Sequence, residues 1–308
     1  MKPEIEQIRN MFIEDDIASL QNQISDLVFR DCFYRTHNEG LGNEFKTGKY
    51  APSFFLEHFH DDYFLSQAVR LRKILEENTE RKQRKTYSLL SALSAIRKNA
   101  SKFTLEEYLN LPLHGAQGRT PPQWAVDATR ESRIQKFKLL SGETDPMPPT
   151  TISIAYLDRI EKVLQLKKQR LYYHLNKYWL HSSDPSNRKS PDEEAKILSL
   201  NYLQSLLITS VWAAKTLSRY VDVLILSEMP TITFDPLIGS EIIFSPGSKS
   251  RAGKFFARRR SFYKNTFSKY DDSDKLYLST RTFVTLDELK NRPTIGSSGS
   301  AEKASASH

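Results

Sequence analysis

The sequence predicts an all-α fold, and three observations carry that expectation. Glycine supplies only 11 of 308 residues, about half its usual share of roughly 7%, which disfavours doubly wound sheets and phosphate-cradling loops. Apolar residues recur at helical rather than alternating spacing over most of residues 3–228. The breaks between these segments are polar and rich in Gly, Pro, Asn and Ser, the composition of turns. At 39% apolar, with 17 Phe and 14 Tyr, the chain has material for a sizeable core.

The elements follow in order. From Pro3 to Phe33, the residues Ile5, Ile8, Phe12, Ile17, Leu20, Ile24 and Leu27 keep near-helical spacing. HNEGLGNEFKTGKYAPS then reads as a turn-rich stretch ending at Ser53, a candidate N-cap. Phe54 to Glu77 is amphipathic through Phe55, Phe59, Phe64, Ala68, Leu71 and Leu75. Ser88 to Asn99 gives another helix, and Thr104 stands three residues before Glu107, the spacing of a capping box. Asn110 to Asp127 reads as a loop, Arg130 to Leu140 as a short helix, and SGETDPMPPTT as a break. The longest helical signal runs from Ile154 to Leu180. After the polar run SSDPSNRKSPDEE, Ser190 or Asp192 can start a helix from Glu193 to Leu226. Lys215, Arg219 and Asp222 interrupt its apolar stretch, so it reads as a buried core helix rather than a membrane span.

Beyond Pro230 the texture changes. TITFDPLIGSEIIFSPGSKS is β-branched and turn-punctuated, so residues 229–290 read as a small basic, aromatic C-terminal appendage that can hold a short β element. Residues 291–308 are small and polar, the composition of a disordered tail or an artificial extension.

Charge and cysteine bound the setting. The formal net charge is +8, from 45 basic and 37 acidic residues, a balance that suits nucleic acid or another anionic partner. Cys32 is the single cysteine, so no intrachain disulfide forms and a reducing, cytoplasmic compartment is expected. The start MKPEIEQIRNMFIEDD has no apolar h-region and does not read as a secretory signal. No membrane association is expected, and neither a cofactor nor a metal site is readable.

The most informative stretch is Tyr156 to Pro185, YLDRIEKVLQLKKQRLYYHLNKYWLHSSDP, a long basic helix that ends in Asn176, Lys177 and His181 before Ser-Ser-Asp-Pro. It resembles the signature helix of the HEPN superfamily, whose motif is an Arg, commonly Asn, Asp or His next, and a His that closes within four to six residues. Asn176 and His181 match that pattern. FFLEHFHDDYFLSQAVRLRKILEE, SLLSALSAIRKN and NYLQSLLITSVWAAKTLSRYVDVL resemble, in order, other helices of the abortive-infection U-type branch. The resemblance covers roughly residues 1–228. It implies a HEPN-like helical bundle acting as a metal-independent endoribonuclease, a bacterial toxin or antiphage effector. The implied assembly is a homodimer, or a complex with a partner protein of a defence system.

One departure matters. Leu175 occupies the position of the family's Arg. Upstream, His174 stands seven residues before His181, so the two project from nearly one helix face, about 10 Å apart along the axis. Arg170 shares that face but lies about 16 Å away. Metal-free RNA cleavage needs a base for the 2′-hydroxyl proton, an acid for the leaving 5′-oxygen and positive charge on the transition state. Imidazole suits the first two roles at neutral pH. The resemblance implies a dimer that sets two motif helices side by side, with His181 of each chain as the candidate acid–base group, His174 or Lys177 supplying charge and Asn176 orienting the phosphate. A His near a helix C-terminus is equally explained as a dipole-stabilised cap.

Three further signals are weaker. RAGKFFARRRSFYK, Arg251 to Lys264, interleaves six bases with four rings. Arg258, Arg259, Arg260 and Lys264 can neutralise phosphates while Phe and Tyr stack on unpaired bases, and KKQR, Lys167 to Arg170, adds to this field where both face one groove; a basic loop whose rings pack on the body is the alternative. In HFHDD, His58 and Asp62 share a helix face, but two ligands do not close a metal site. YDDSD, residues 270–274, reads as a solvated turn. The competing functions are therefore an RNA-cleaving enzyme, a catalytically degenerate RNA binder, and a helical adaptor for a separate catalytic subunit.

Overall fold

The computed structural model describes residues 1–14, 18–46, 54–76, 87–112, 122–141, 151–175, 199–226 and 248–272. Within them lie α1 (Pro3–Ile13), α2 (Leu20–Lys46), α3 (Phe54–Leu75), α4 (Leu89–Lys98), α5 (Leu105–Leu109), α6 (Gln123–Ser141), α7 (Ile154–His174), α8 (Leu200–Ser218) and α9 (Ser248–Asp272). Short 3₁₀ turns at Ala100–Lys102 and Arg219–Val221 follow α4 and α8. Among the described residues no strand forms, and the one β-type pairing is an isolated bridge between Thr104 and Thr151. The fold is all-α, as the sparse glycine and helical spacing imply.

Local chemistry sets many of the starts. Ser88, Thr104, Ser153 and Ser199 each take an extended backbone, and each side chain accepts the N–H three residues on, from Ser91, Glu107, Tyr156 and Tyr202. Each thereby satisfies an orphan donor of its helix. Thr104 is the cap that its spacing to Glu107 predicts. Ser53, the other candidate cap, lies outside the described residues.

Several boundaries differ from the sequence reading. The segment Pro3 to Phe33 is two helices, with Ser19 Oγ accepting from Asn22 N at 3.3 Å at the head of the second. The expected turn at HNEGLGNEFK is instead the last part of α2. Adding residues to an existing helix is inexpensive, and a Gly there costs about 1 kcal/mol, so two glycines do not force a stop. Helix α6 starts at Gln123, directly behind Pro122, whose carbonyl accepts from Ala125 and Val126. The loop therefore gives way to helix earlier than Arg130. Ser199 caps α8, while Ser190, Asp192 and residues 193–198 lie outside the described residues.

The core is organised around α8. Its residues from Thr209 to Ser218 are all buried, including Lys215 at 6% exposure, and it packs against α2, α3, α4, α7 and α9. No helix among the described residues is long and apolar enough to cross a membrane. The bundle also extends past residue 228. The run expected in a C-terminal appendage forms α9, which lies on α2 and α8 and buries Phe256, Tyr263 and Phe267. Residues 256, 263 and 267 recur at 7 and 4, a helical face that sets the segment into the bundle. One compact unit accordingly runs from Met1 to Asp272, and a second from Ser273 to His308. The expected β element within 231–247 and the tail 291–308 lie outside the described residues.

Two buried polar clusters tie the helices together. In the first, the fully buried Asp31 of α2 accepts from Arg35 Nε at 2.8 Å and from Tyr63 Oη of α3 at 2.6 Å. Tyr263 Oη of α9 also donates to it, and Arg35 Nη2 donates to the Leu200 carbonyl of α8 at 2.9 Å. Asp31 and Arg35 together thus join four helices. In the second, Arg133 of α6 donates to the carbonyls of Leu109 and Leu111 at 2.9 and 2.7 Å and to Asp222 at 2.9 Å. Asp222 sits at φ 51°, a left-handed conformation that Asp tolerates better than most residues. Burial works to raise its carboxyl pKa, but Lys136 and Arg133 outweigh that and hold it below the ordinary value.

Replacing Asp31 with Ala leaves Arg35 charged and buried and deprives two tyrosine hydroxyls of their acceptor. Breaking such a pair costs about 3–5 kcal/mol, so the urea midpoint of Asp31→Ala is expected to drop sharply. A loss below about 1 kcal/mol would show that the carboxylate does not organise the bundle.

Candidate nucleic-acid interface

Helix α9 resolves the mixture of bases and rings that its sequence presents. Phe256, Tyr263 and Phe267 turn inward, and Tyr263 is fully buried. Lys254, Arg258 and Lys264 are exposed, with Arg259 and Arg260 half-buried between the two faces. Two of the four rings between Arg251 and Lys264 therefore belong to the core. The other two stay at the rim with cations. The Arg258 guanidinium lies 5.5 Å from the Phe255 ring centroid, and that of Arg259 lies 5.5 Å from Phe262. Phe262 itself is 40% exposed. The segment carries no acid from Ser248 to Tyr270, so its outward face has one sign of charge.

The bases of α7 are placed differently. Arg170 sets its guanidinium 4.6 Å from the Tyr202 ring on α8, and Lys167 donates to Ser205 Oγ at 3.1 Å. Burial, then the neighbouring Arg170, lowers the Lys167 pKa. Tyr172 receives Arg72 of α3 at 4.5 Å and Lys168 at 5.6 Å. Within the KKQR run, expected to add to a phosphate-binding field, Lys167 and Arg170 thus pack α7 against α8, while Lys168 lies over Tyr172 of its own helix.

Helix α7 runs through His174, and Leu175, at the Arg position of the resembled motif, is fully buried. It continues the apolar face of Leu157, Ile160, Leu164 and Leu171. Asn176, Lys177 and His181 lie outside the described residues, and of His174 only its place at the end of α7 is described.

A groove of about 420 Å³ opens between α2 and α3, which the sequence reading did not anticipate. Phe29, Phe33, Tyr34 and Tyr63 wall it, with Asp26, Arg30 and Asp62 around them. The Tyr34 and Tyr63 rings stack at 3.6 Å, nearly parallel, and burial pushes the Tyr34 hydroxyl up to about 12. Asp26 is held by Arg30 at 2.9 Å and Arg70 at 2.5 Å. The spacing of Phe29 and Phe33 was visible in the sequence, but only the crossing of α3 turns it into a wall. Among the described residues no group of three or more His, Cys, Asp or Glu side chains could hold a metal. Cys32 is buried, and burial with nearby Asp31 pushes its thiol up to about 12, so it has no thiolate character at neutral pH.

No protein-family model, curated protein or solved structure matches this chain.

The buried state of Leu175 generates a test. Leu175→Arg restores the residue type of the resembled motif, yet it places a guanidinium where the wild-type side chain is fully enclosed. Desolvating an ion costs several kcal/mol, so this variant is expected to unfold at clearly lower urea than wild type. An unchanged midpoint would mean that the position can open to water and accept charge.

Proposed function

We propose that the chain is a HEPN-like RNA-binding protein that contacts the phosphate backbone along α9 and works in a bacterial toxin or antiphage defence setting. The observation that carries this reading is that Lys254, Arg258 and Lys264 are all exposed on a helix whose opposite face is anchored in the core. Such cations neutralise phosphates and release counterions without disturbing the fold. Its lone, enclosed Cys32 suits a reducing cytoplasm. Buried Leu175 at the Arg position favours binding, or service to a separate catalytic subunit, over efficient cleavage. Two-fold pairing of the motif helices remains part of the proposal, since the resembled family builds its site that way.

Replacing Lys254, Arg258 and Lys264 together with Ala tests the binding role. All three are exposed, so circular dichroism should be unchanged. Affinity for RNA is expected to fall, and the slope of log affinity against log salt to shrink by about 2, as three lost phosphate contacts require for a single strand. An unaltered salt slope would assign these cations to solvent.

A second reading, metal-independent endoribonuclease, is favoured by α7 remaining helical up to Leu175, directly before Asn176, as a signature helix requires. In that case His181 takes or returns the proton as the 2′-oxygen attacks phosphorus and the 5′-oxygen leaves. His181→Ala is then expected to lower cleavage by about 10²–10⁴-fold, with 2′,3′-cyclic phosphate ends and no effect of EDTA. Cleavage indifferent to His181 would place the chemistry elsewhere, and absence of cleavage by wild type would leave binding as the function.

A further inference from the structure

We infer that the α9 surface takes single-stranded rather than duplex nucleic acid, with an unpaired base stacked on Phe262 and successive phosphates at Arg258 and Lys254. This rests on the RNA-binding reading above and names the form of RNA that the site accepts. Lys254, Arg258 and Phe262 are spaced four residues apart. On a helix they form one oblique ridge, each about 6 Å further along the axis. Two cations followed by a ring, at one such step each, match a strand whose backbone tracks the ridge and whose base turns inward.

The ring is suited to that role in three ways. It is 40% exposed, while its sequence neighbour Tyr263 is fully buried. Arg259 lies against it at 5.5 Å, adding a cationic partner beside any stacked base. It is also held in place. Tyr263 packs edge-on against Phe262 at 5.3 Å and donates its hydroxyl to Asp31, so α9 cannot roll about its axis without breaking a bond to a buried carboxylate. A ring presented by a fixed helix loses little freedom on binding.

A duplex does not use such a ridge. Its bases are stacked on one another, so Phe262 has no π-face to meet. The deep, narrow major groove of A-form RNA also does not admit side chains, which leaves only backbone contact.

The test compares the full chain and its variants on a labelled 2′-O-methyl RNA strand, alone and annealed to its complement, by fluorescence anisotropy. The 2′-O-methyl group removes the nucleophile and so separates binding from any cleavage. Wild type is expected to prefer the single strand by at least about tenfold. Phe262→Ala should lose about tenfold on the single strand, within the range of one lost stack, and less than about twofold on the duplex. Phe262→Tyr, which keeps the ring, should retain wild-type affinity and thereby exclude a folding defect. Equal affinity for both forms, or equal loss on both in Phe262→Ala, overturns the single-strand inference while leaving RNA binding intact. Binding to neither form overturns the RNA-binding reading itself and the inference with it.

Discussion

A carboxylate removed from water has to be answered by donors, and Asp31 is answered from three helices. Arg35 supplies charge from the next turn of α2, Tyr63 donates from α3, and Tyr263 donates from α9. Arg35 in turn reaches the first carbonyl of α8. Burial works to lower the Arg35 pKa, but Asp31, together with Tyr263 and Tyr63, more than reverses that effect, so the guanidinium stays firmly protonated. A buried ion pair adds little net stability compared with an apolar substitute. What it does add here is register, because a helix that slips by one residue withdraws its donor and leaves the charge unsatisfied. The faces presented by α3 and α9 are therefore set by one side chain of α2.

This constraint explains how a basic, aromatic segment can be both core and surface. With Tyr263 fixed inward, residues 256 and 267 follow it into the bundle, and residues 254, 258 and 264 are left in water. Burying three rings supplies the driving force, at about 1.5–3 kcal/mol for each fully enclosed large side chain. The hydroxyl of Tyr263 chooses which rings those are. Arg259 and Arg260, between the two faces, lie close enough to act on the Cys32 thiol, together with Arg35, against the effect of Asp31. The basic composition of α9 thus serves the electrostatics of the interior at its edge and the solvent on its outer side.

The neighbouring basic run on α7 shows the opposite allocation. Lys167, Lys168 and Arg170 look as basic in sequence as Arg258 to Arg260, yet Arg170 and Lys167 meet Tyr202 and Ser205 of α8, and Lys168 meets Tyr172 on its own helix. No local pattern separates the two cases. The difference lies in what α8 places opposite Lys167 and Arg170.

Much of the fold was legible in the residues themselves. Scarce glycine, helical spacing and capping residues such as Thr104 specify helices, because backbone hydrogen bonds and caps are local physics. The identity of α8 as a core helix was also legible, since its long apolar stretch is interrupted by Lys215, Arg219 and Asp222 and so suits a protein interior rather than a membrane. The candidate site was less so. Residues 254–264 were recognisable as basic and aromatic, and Phe256, Tyr263 and Phe267 stand at helical spacing, but that this face turns into the bundle could not be read, because the bond between Tyr263 and Asp31 spans 232 positions. The sequence by itself determined the all-α class and the net positive charge. Only the tertiary structure decided that Leu175 is enclosed, that α9 joins the bundle and that Phe262 remains outside, because each outcome depends on which distant helix packs against the residue.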